Sequence, residues 1–183
     1  MNKGSEYQYI SVKDFEKLYQ EKGLTGGTVE SPLGPVIYRL INGAICGIGF
    51  ENHSPHHNHL DKILKKNYQV DEASGKQVLN CLVNGQPFPM ILAGTTFQHK
   101  VWQALLKIPK GQCFSYQRLA EKLGDVKKVR AVASAVGRNP VSWIVPCHRV
   151  VHKQGGISNY LWGSDIKAKL LEFEGCSLNK AVC

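Results

Sequence analysis

The pattern of apolar and polar positions changes period several times along the chain, and each change marks an element. Ser11-Val12-Lys13-Asp14 reads as a capping box that opens a helix over Val12–Lys22, with Gly23 as its stop. Gly26-Gly27 then reads as a flexible joint. Thr28-Val29, Val36–Ile41 and Ala44–Phe50 have the character of three short strands. Pro32-Leu33-Gly34 turns the first into the second, and Asn42-Gly43 is a strong two-residue hairpin signal before the third. Leu60–Tyr68 and Gly75–Val83 read as helices, the second closed by Gly85. This half of the chain is expected to be a small α+β unit with a hairpin-containing sheet.

Pro87–Gly94 reads as a linker, which places a domain boundary near residue 92 and gives domains 1–92 and 93–183. Beyond it, Thr95 or Thr96 caps a helix over Phe97–Leu106. Phe97, Val101, Leu105 and Ile108 recur at helical spacing as a core face, which Trp102 is expected to join. Pro109-Lys110-Gly111 ends that helix. Ser115 then caps Tyr116–Leu123, Gly124 stops it, and Asp125 caps a further helix over Val126–Val136. Helix, tight glycine turn, helix is the sign of a helix-turn-helix, although a plain helical hairpin with a solvated basic end has the same outline. Lys127, Lys128 and Arg130 stand where a recognition helix meets DNA. Ala131, Ala133, Ser134, Ala135 and Gly137 keep the same helix slim, a surface suited to a narrow minor groove rather than to base-edge readout.

Composition and charge sharpen this picture. A chain of 183 residues with 43% hydrophobic and 20% charged residues suits one fair-sized globular domain or two small ones, and no apolar run is long enough to span a membrane. Met1–Tyr9 is polar and lacks the apolar core of a signal peptide. The six cysteines are scattered without CxxC spacing, which favours free thiols in a reducing compartment. The location expected is intracellular: the cytoplasm of a prokaryote or the nucleus of a eukaryote. The net charge of +9 is unevenly placed: residues 1–92 carry nine basic and nine acidic side chains, residues 93–183 fourteen and five. The whole excess therefore lies in the second half, which points to a polyanion partner, most commonly nucleic acid. His53, His56, His57 and His59 invite a metal reading, but their spacing matches no structural zinc site, so neither a metal nor a cofactor is expected.

The candidate chemistry lies in Ile144-Val145-Pro146-Cys147-His148-Arg149-Val150-Val151. Proline fixes its own φ and holds Cys147 at a rigid corner inside an apolar run. His148 and Arg149 supply positive surroundings that favour a thiolate. These eight residues alone fit a core cysteine followed by a surface basic pair equally well. Arg138-Asn139-Pro140 ends the candidate recognition helix about ten residues upstream, a short connection, so whatever the helix binds is held beside the thiol.

At this point the residues resemble a known family. From Thr95 to Gly175 the chain is similar to the O6-alkylguanine-DNA alkyltransferases, also called methylated-DNA–protein-cysteine methyltransferases. The resemblance rests on Phe97-Gln98, Val101-Trp102, Ser115-Tyr116, Arg130-Ala131-Val132, Asn139-Pro140, Pro146-Cys147-His148-Arg149-Val150, Asn159-Tyr160 and Leu170-Leu171 with Glu174-Gly175, in matching order and spacing. Residues 28–50, with Ser31-Pro32-Leu33-Gly34, resemble the family's N-terminal domain more weakly, and residues 1–27 have no assigned counterpart.

The resemblance implies an α+β fold: a small N-terminal α/β (ribonuclease H-like) domain, then a mainly helical domain with a helix-turn-helix. It implies direct, stoichiometric and irreversible repair of O6-methylguanine, and of O4-methylthymine, in double-stranded DNA bound through the minor groove by a monomer. By the same resemblance Cys147 is the alkyl acceptor, activated by His148 through a bridging water, with Glu174 orienting the histidine. Tyr116 assists departure of the guanine, and Arg130 enters the duplex where the target base rotates out. Asn139 braces the helix-turn-helix against the active-site segment. Ser115, Lys127, Lys128, Ala131 and Ala135 belong to the DNA-binding set, and Val150, Ser158, Asn159, Tyr160, Leu161 and Trp162 to the base pocket.

Residue chemistry fits these roles independently. Neighbouring side chains do not face one another, so a water bridge between His148 and Cys147 is the simpler geometry. The thioether product offers water no electrophilic carbonyl, so one molecule repairs one lesion. Leu161 and Trp162 stand where some members have small residues, and a Trp162 over the pocket would disfavour benzyl relative to methyl. Arg138 stands where some members have glycine. A cysteine hydrolase and a lesion-sensing DNA-binding protein are the competing readings. The first lacks a nucleophile-elbow motif, and Cys147 itself counts against the second.

Overall fold

The computed structural model describes residues 7–51, 63, 66–153, 156–157 and 160–176. Its chain divides into two compact units, Met1–Thr96 with Pro140–Ile144 and Phe97–Asn139 with Val145–Cys183. A single cut near residue 92 does not anticipate the return of 140–144 to the first unit. That return depends on pairing: Ile48 N donates to Pro140 O at 3.0 Å, and Ile48 forms a parallel bridge with Val141.

Among the described residues the first unit holds a six-stranded sheet and two helices of defined extent. Strand β1 (Tyr7–Ile10) leads into α1 (Val12–Lys22), and β2 (Thr25–Ser31), β3 (Gly34–Ile41) and β4 (Ala44–Phe50) follow. After β5 (Gln69–Val70) come α2 (Glu72–Asn84) and β6 (Met90–Ala93), and the sheet order is β1-β6-β4-β3-β2-β5. Ser11 caps α1 as its sequence implies, accepting from Asp14 N at 3.1 Å, and Gly23 ends it at φ 67°. The Asn42-Gly43 turn has φ of 49° and 74°, the two positive values that a two-residue hairpin of the twisted type requires, and Ile41 pairs with Ala44 across it. Strand β4 is buried along its whole length, so its glycines and aliphatics form the centre of the sheet.

Two expectations fail here, for physical reasons. Gly26-Gly27 is no joint: both residues lie inside β2, paired with Arg39 and Tyr38. A Cβ on Gly26 would come within 2.3 Å of Tyr38 O, so the glycine permits close backbone approach. Pro87–Gly94 is no linker either. Met90–Ala93 is a fully buried strand, parallel to β1 and touching β4. Such an apolar four-residue run reads as neither amphipathic helix nor alternating strand, and the prolines before it disguise its start. The expected helix over Leu60–Tyr68 and the histidine cluster at 53, 56, 57 and 59 fall mostly or wholly outside the described residues.

The second unit begins with α3 (Thr96–Leu106). Val101, Trp102, Leu105 and Ile108 are buried, and Trp102 Nε1 donates to Ala135 O at 2.9 Å. Strand β7 (Phe114–Ser115) runs into α4 (Tyr116–Lys122), whose cap is the Ser115 hydroxyl accepting from Arg118 N at 3.1 Å. Helix α5 covers Val129–Gly137 and is shorter than expected, because Val126–Lys128 form a 3₁₀ turn capped by Asp125 instead. A second 3₁₀ turn, Cys147–Arg149, is followed by β8 (Val150–Val151) and by α6 (Ser164–Phe173). Among the described residues no helix is long and apolar enough to cross a membrane.

Replacing Gly26 with alanine should lower stability by about 1–3 kcal/mol, because the backbone carbonyl of Tyr38 cannot move aside as a side chain would. Gly27→Ala, whose Cβ would meet only the Tyr38 ring and hydroxyl from 3.1 Å, should cost less. Urea unfolding midpoints of the two variants check the order.

Candidate active site around Cys147

Backbone geometry fixes the cysteine before any side chain acts. Ile144 N donates to Ser142 O at 3.0 Å around Trp143, whose φ is 73°, a three-residue turn with positive φ and therefore strained. The Trp143 ring is stacked on Phe50 at 6.1 Å, within the first unit, which helps hold that conformation. The next turn is of the opposite, relaxed hand: Cys147 N donates to Val145 O at 2.8 Å around Pro146, at φ −82° and ψ 64°. Proline is pre-set for this φ and has no N–H to leave unpaired. Cys147 emerges at the start of the 3₁₀ turn, 5% exposed.

Polar groups then converge on the sulfur. Asn139 Nδ2 donates to Val145 O at 2.8 Å and lies 3.1 Å from Cys147 Sγ, so one amide both fixes the turn and offers a donor to a thiolate. Cys147 Sγ is 3.7 Å from the Tyr160 hydroxyl. Strands β7 and β8 are parallel, with Phe114 opposite Val150 and Ser115 opposite Val151, which carries Tyr116 to the segment that follows the cysteine. Burial raises the Tyr116 phenol above its ordinary value, and the nearby Cys147 acts in the same direction, so the phenol is a proton donor at neutral pH. Its ring meets that of His152 at 5.5 Å.

Beside the thiol lies a buried ion cluster. Glu174 takes both oxygens to Arg149, Nε to Oε2 and Nη2 to Oε1 at 2.7 Å each, and Oε2 also lies 3.1 Å from His148 Nε2. The last contact is of ion-pair length without the alignment of a strong hydrogen bond. His148 is wholly buried, and among the described residues its Nδ1 has no hydrogen-bond partner. Burial pushes the His148 pKa down against the pull of Glu174, so the imidazole is neutral at pH 7 and able to accept a proton. Burial opposes the charge on Glu174, yet Arg149 and His148 together outweigh it and hold the carboxyl down at about 2. Arg149 thus corrects the sequence reading: its guanidinium is bound by Glu174 and by Ile108 O, and is spent on the carboxylate rather than on the thiol.

Lys167 is the residue that sequence reasoning missed. It is 1% exposed, donates to Val150 O, and has its Nζ 5.8 Å from the Tyr160 ring centre. Burial brings its pKa down to about 8, while the Cys147 and Cys113 thiols pull the other way. The only signal in the sequence is a lysine one position after Ile166 on the apolar side of α6, which reads as a solvated residue in any pattern.

The other expected residues separate into groups. Arg130, Lys127, Lys128 and Ala131 are exposed, although Lys128 Nζ pairs with Asp125 at 3.2 Å. Ala135 is buried at 3%, because Val132, Ala135 and Val136 form the core stripe of α5; it cannot meet DNA, and Ser134 stands on the open side instead. The Ser115 side chain is likewise buried and engaged as a helix cap. Val150 and Trp162 are buried, Tyr160 and Leu161 half-buried. Ser158 and Asn159 lie outside the described residues. Among the described residues no group of three His, Cys, Asp or Glu side chains is placed to hold a metal ion.

Residues 96–176 match the family model described as the 6-O-methylguanine DNA methyltransferase DNA-binding domain. The bifunctional transcriptional activator and DNA repair enzyme Ada of Escherichia coli is 52% identical over 86 residues, 47% of this chain and 24% of that protein. The chain therefore spans about a quarter of the length of that relative. A methylated-DNA–protein-cysteine methyltransferase of Methanosarcina acetivorans is 36% identical over 151 residues, covering 80% of this chain and 95% of its own. Among solved structures, the Mycobacterium tuberculosis OGT in complex with DNA superposes with a TM-score of 0.69 at 30% identity, over 82% of this chain and 92% of that one. A near full-length relative, a matching fold and a shared mixed α/β architecture of sheet and helices lead to one assignment: the chain belongs to the methylated-DNA–protein-cysteine methyltransferase family.

Proposed function

We propose that this protein repairs alkylated DNA by moving the alkyl group of O6-methylguanine, or of O4-methylthymine, onto its own Cys147, once per molecule and irreversibly. The observation that carries the reading is the surroundings of the Cys147 sulfur: a nearly buried thiol with an amide donor at 3.1 Å and a neutral, wholly buried histidine next in the chain.

In this reading His148 takes the Cys147 proton through a bridging water, and Glu174 steadies the imidazolium that forms. Asn139 Nδ2 and the buried ammonium of Lys167 favour the thiolate. The sulfur attacks the alkyl carbon, the bond from that carbon to guanine O6 breaks, and its electron pair passes to the base. Tyr116 supplies a proton at the guanine ring. Solvent then carries the proton held by His148 to the Tyr116 phenolate, so both return to their neutral forms and the net change moves the thiol proton to the departed guanine. Val150, Tyr160, Leu161 and Trp162 form the pocket for the extruded base.

The DNA-binding element in this proposal is α4 and α5, acting as a helix-turn-helix on the minor groove of duplex DNA, with the protein a monomer. Arg130 fills the stack left by the rotated base, a rotation that costs a few kcal/mol. Lys127 and Lys128 serve phosphates, and Ala131 with Ser134 supplies the slim face. Asn139 couples the end of α5 to the cysteine turn. The sheet unit is read as ribonuclease H-like on the support of its antiparallel β2-β3-β4 core flanked by parallel strands. The setting is an intracellular compartment that contains DNA.

Incubation with O6-methylguanine DNA should add one methyl group in place of one hydrogen, at Cys147 alone, in an intact-mass and peptide-mapping experiment. Cys147→Ala should lose transfer and keep DNA binding. A methyl group found on another cysteine would sink the proposal. Asn139→Ala should slow single-turnover transfer on the order of 10²-fold, the usual scale for losing one donor to a developing or standing anion.

Glu174 also links the site to acid stability. Its folded pKa, about 2, lies below its ordinary value of 4.5, so the stability it confers is present above pH 4.5 and is lost as pH falls toward 2. The size at stake is roughly 3 kcal/mol. Urea midpoints measured from pH 6 down to 3 should fall below pH 4.5, and the fall should be much shallower in Glu174→Gln, which starts from lower stability at pH 6.

A further inference from the structure

The methyl-transfer chemistry makes no use of Cys113 or Cys176. Cys113 Sγ and Cys176 Sγ are 2.7 Å apart, although the two residues are 63 positions apart in sequence. Both are free thiols. A disulfide needs about 2.05 Å between the sulfurs, so the gap to close is a fraction of an ångström.

Both sulfurs are held in place by backbone structure. Glu174 ends α6, Gly175 takes φ 70°, Gly175 N donates to Glu172 O, and Cys176 N donates to Leu171 O, each at 2.8 Å. This is the doubly bonded glycine stop of a helix, in which the residue after glycine folds back on the last turn. It lays Cys176 against Leu171. Cys113 directly precedes β7 and packs with Val151 and Leu171, in a small cluster that Ile157 and Cys176 complete. A Cβ on Gly111, two residues before Cys113, would stand in ordinary contact with Glu174 O at 3.5 Å.

We infer that Cys113 and Cys176 form a redox-active dithiol, a second thiol centre separate from Cys147, which closes to an internal disulfide under a peroxide or disulfide oxidant. With hydrogen peroxide the half-exposed Cys176 sulfur attacks one peroxide oxygen; the O–O bond breaks, giving a sulfenic acid and one water. The Cys113 sulfur then attacks the Cys176 sulfur, the S–O bond breaks, and the hydroxide leaves with the Cys113 proton as a second water. Two thiols are oxidised and one peroxide is reduced. Burial pushes the Cys113 thiol up to about 12, so Cys176 and not Cys113 meets the oxidant first. The bond ties the strand leading to Tyr116 to the turn that carries Glu174. Oxidation therefore stiffens the support of His148 and Arg149 without touching the alkyl acceptor. The inference does not depend on the proposed methyl transfer, since it concerns other sulfurs.

The test uses the full chain treated with oxidised glutathione or with one equivalent of hydrogen peroxide. Intact mass should fall by two hydrogens, non-reducing peptide mapping should link Cys113 to Cys176, and Tm should rise by about 5–15 °C, as expected for closing a loop of this length. Dithiothreitol should reverse all three changes. Cys176→Ala and Cys113→Ala, each folded by circular dichroism, should show none of them. A glutathione adduct that persists on Cys176, a cross-link that maps to any other cysteine pair, or a mass unchanged by oxidant would overturn the inference; wild type carries these outcomes even if a variant fails to fold.

Discussion

A carboxylate placed in a protein interior loses much of its hydration, and its charge survives only when partners replace the lost water. Glu174 has those partners in the two residues that follow the cysteine: a bidentate guanidinium from Arg149 and the imidazole of His148. The rest of the second unit depends on this cluster. Arg149 also binds Ile108 O, so the end of α3, the 3₁₀ turn at Cys147 and the end of α6 meet at one group. Removing the carboxylate would leave a buried cation without a partner, the costly half of a broken ion pair. The histidine stays neutral because burial outweighs the carboxylate's pull, and a neutral imidazole is the form that can receive a proton.

The cysteine owes its setting to backbone turns as much as to charges. A strained three-residue turn at Trp143 is followed by a relaxed one at Pro146, and Asn139 reaches over both to Val145 O and the sulfur. The chain between Asn139 and Val145 belongs to the sheet unit, where Ile48 N donates to Pro140 O. Parallel pairing of β7 with β8 then supplies Tyr116 from a third region. A side chain set among segments that are already packed loses little further entropy on adopting one geometry, which is the advantage of a preorganised site.

Cysteines elsewhere in the chain show how much setting decides reactivity. Burial pushes the Cys46 thiol to about 12, against the pull of Arg39 and a backbone hydrogen bond, and that of Cys81 to about 11. Those two behave as small apolar side chains. Cys113 and Cys176 are different again, since their sulfurs lie 2.7 Å apart.

Local chemistry was legible in the sequence wherever one residue type suffices. The capping box at Ser11, the Asn42-Gly43 hairpin, the cap at Ser115 and the proline corner before Cys147 each follow from a side chain acting on its own backbone. The Pro-Cys-His-Arg motif and its flanking pieces were enough to indicate the family. Tertiary structure decided what depends on burial by distant segments. It made Met90–Ala93 a buried strand instead of a linker, turned Ala135 to the core, gave Arg149 to Glu174, and drove Lys167 inside. The reason is that a residue's charge state and exposed face are set by what packs against it. For these residues that neighbour comes from another element, and no local period in the sequence records it.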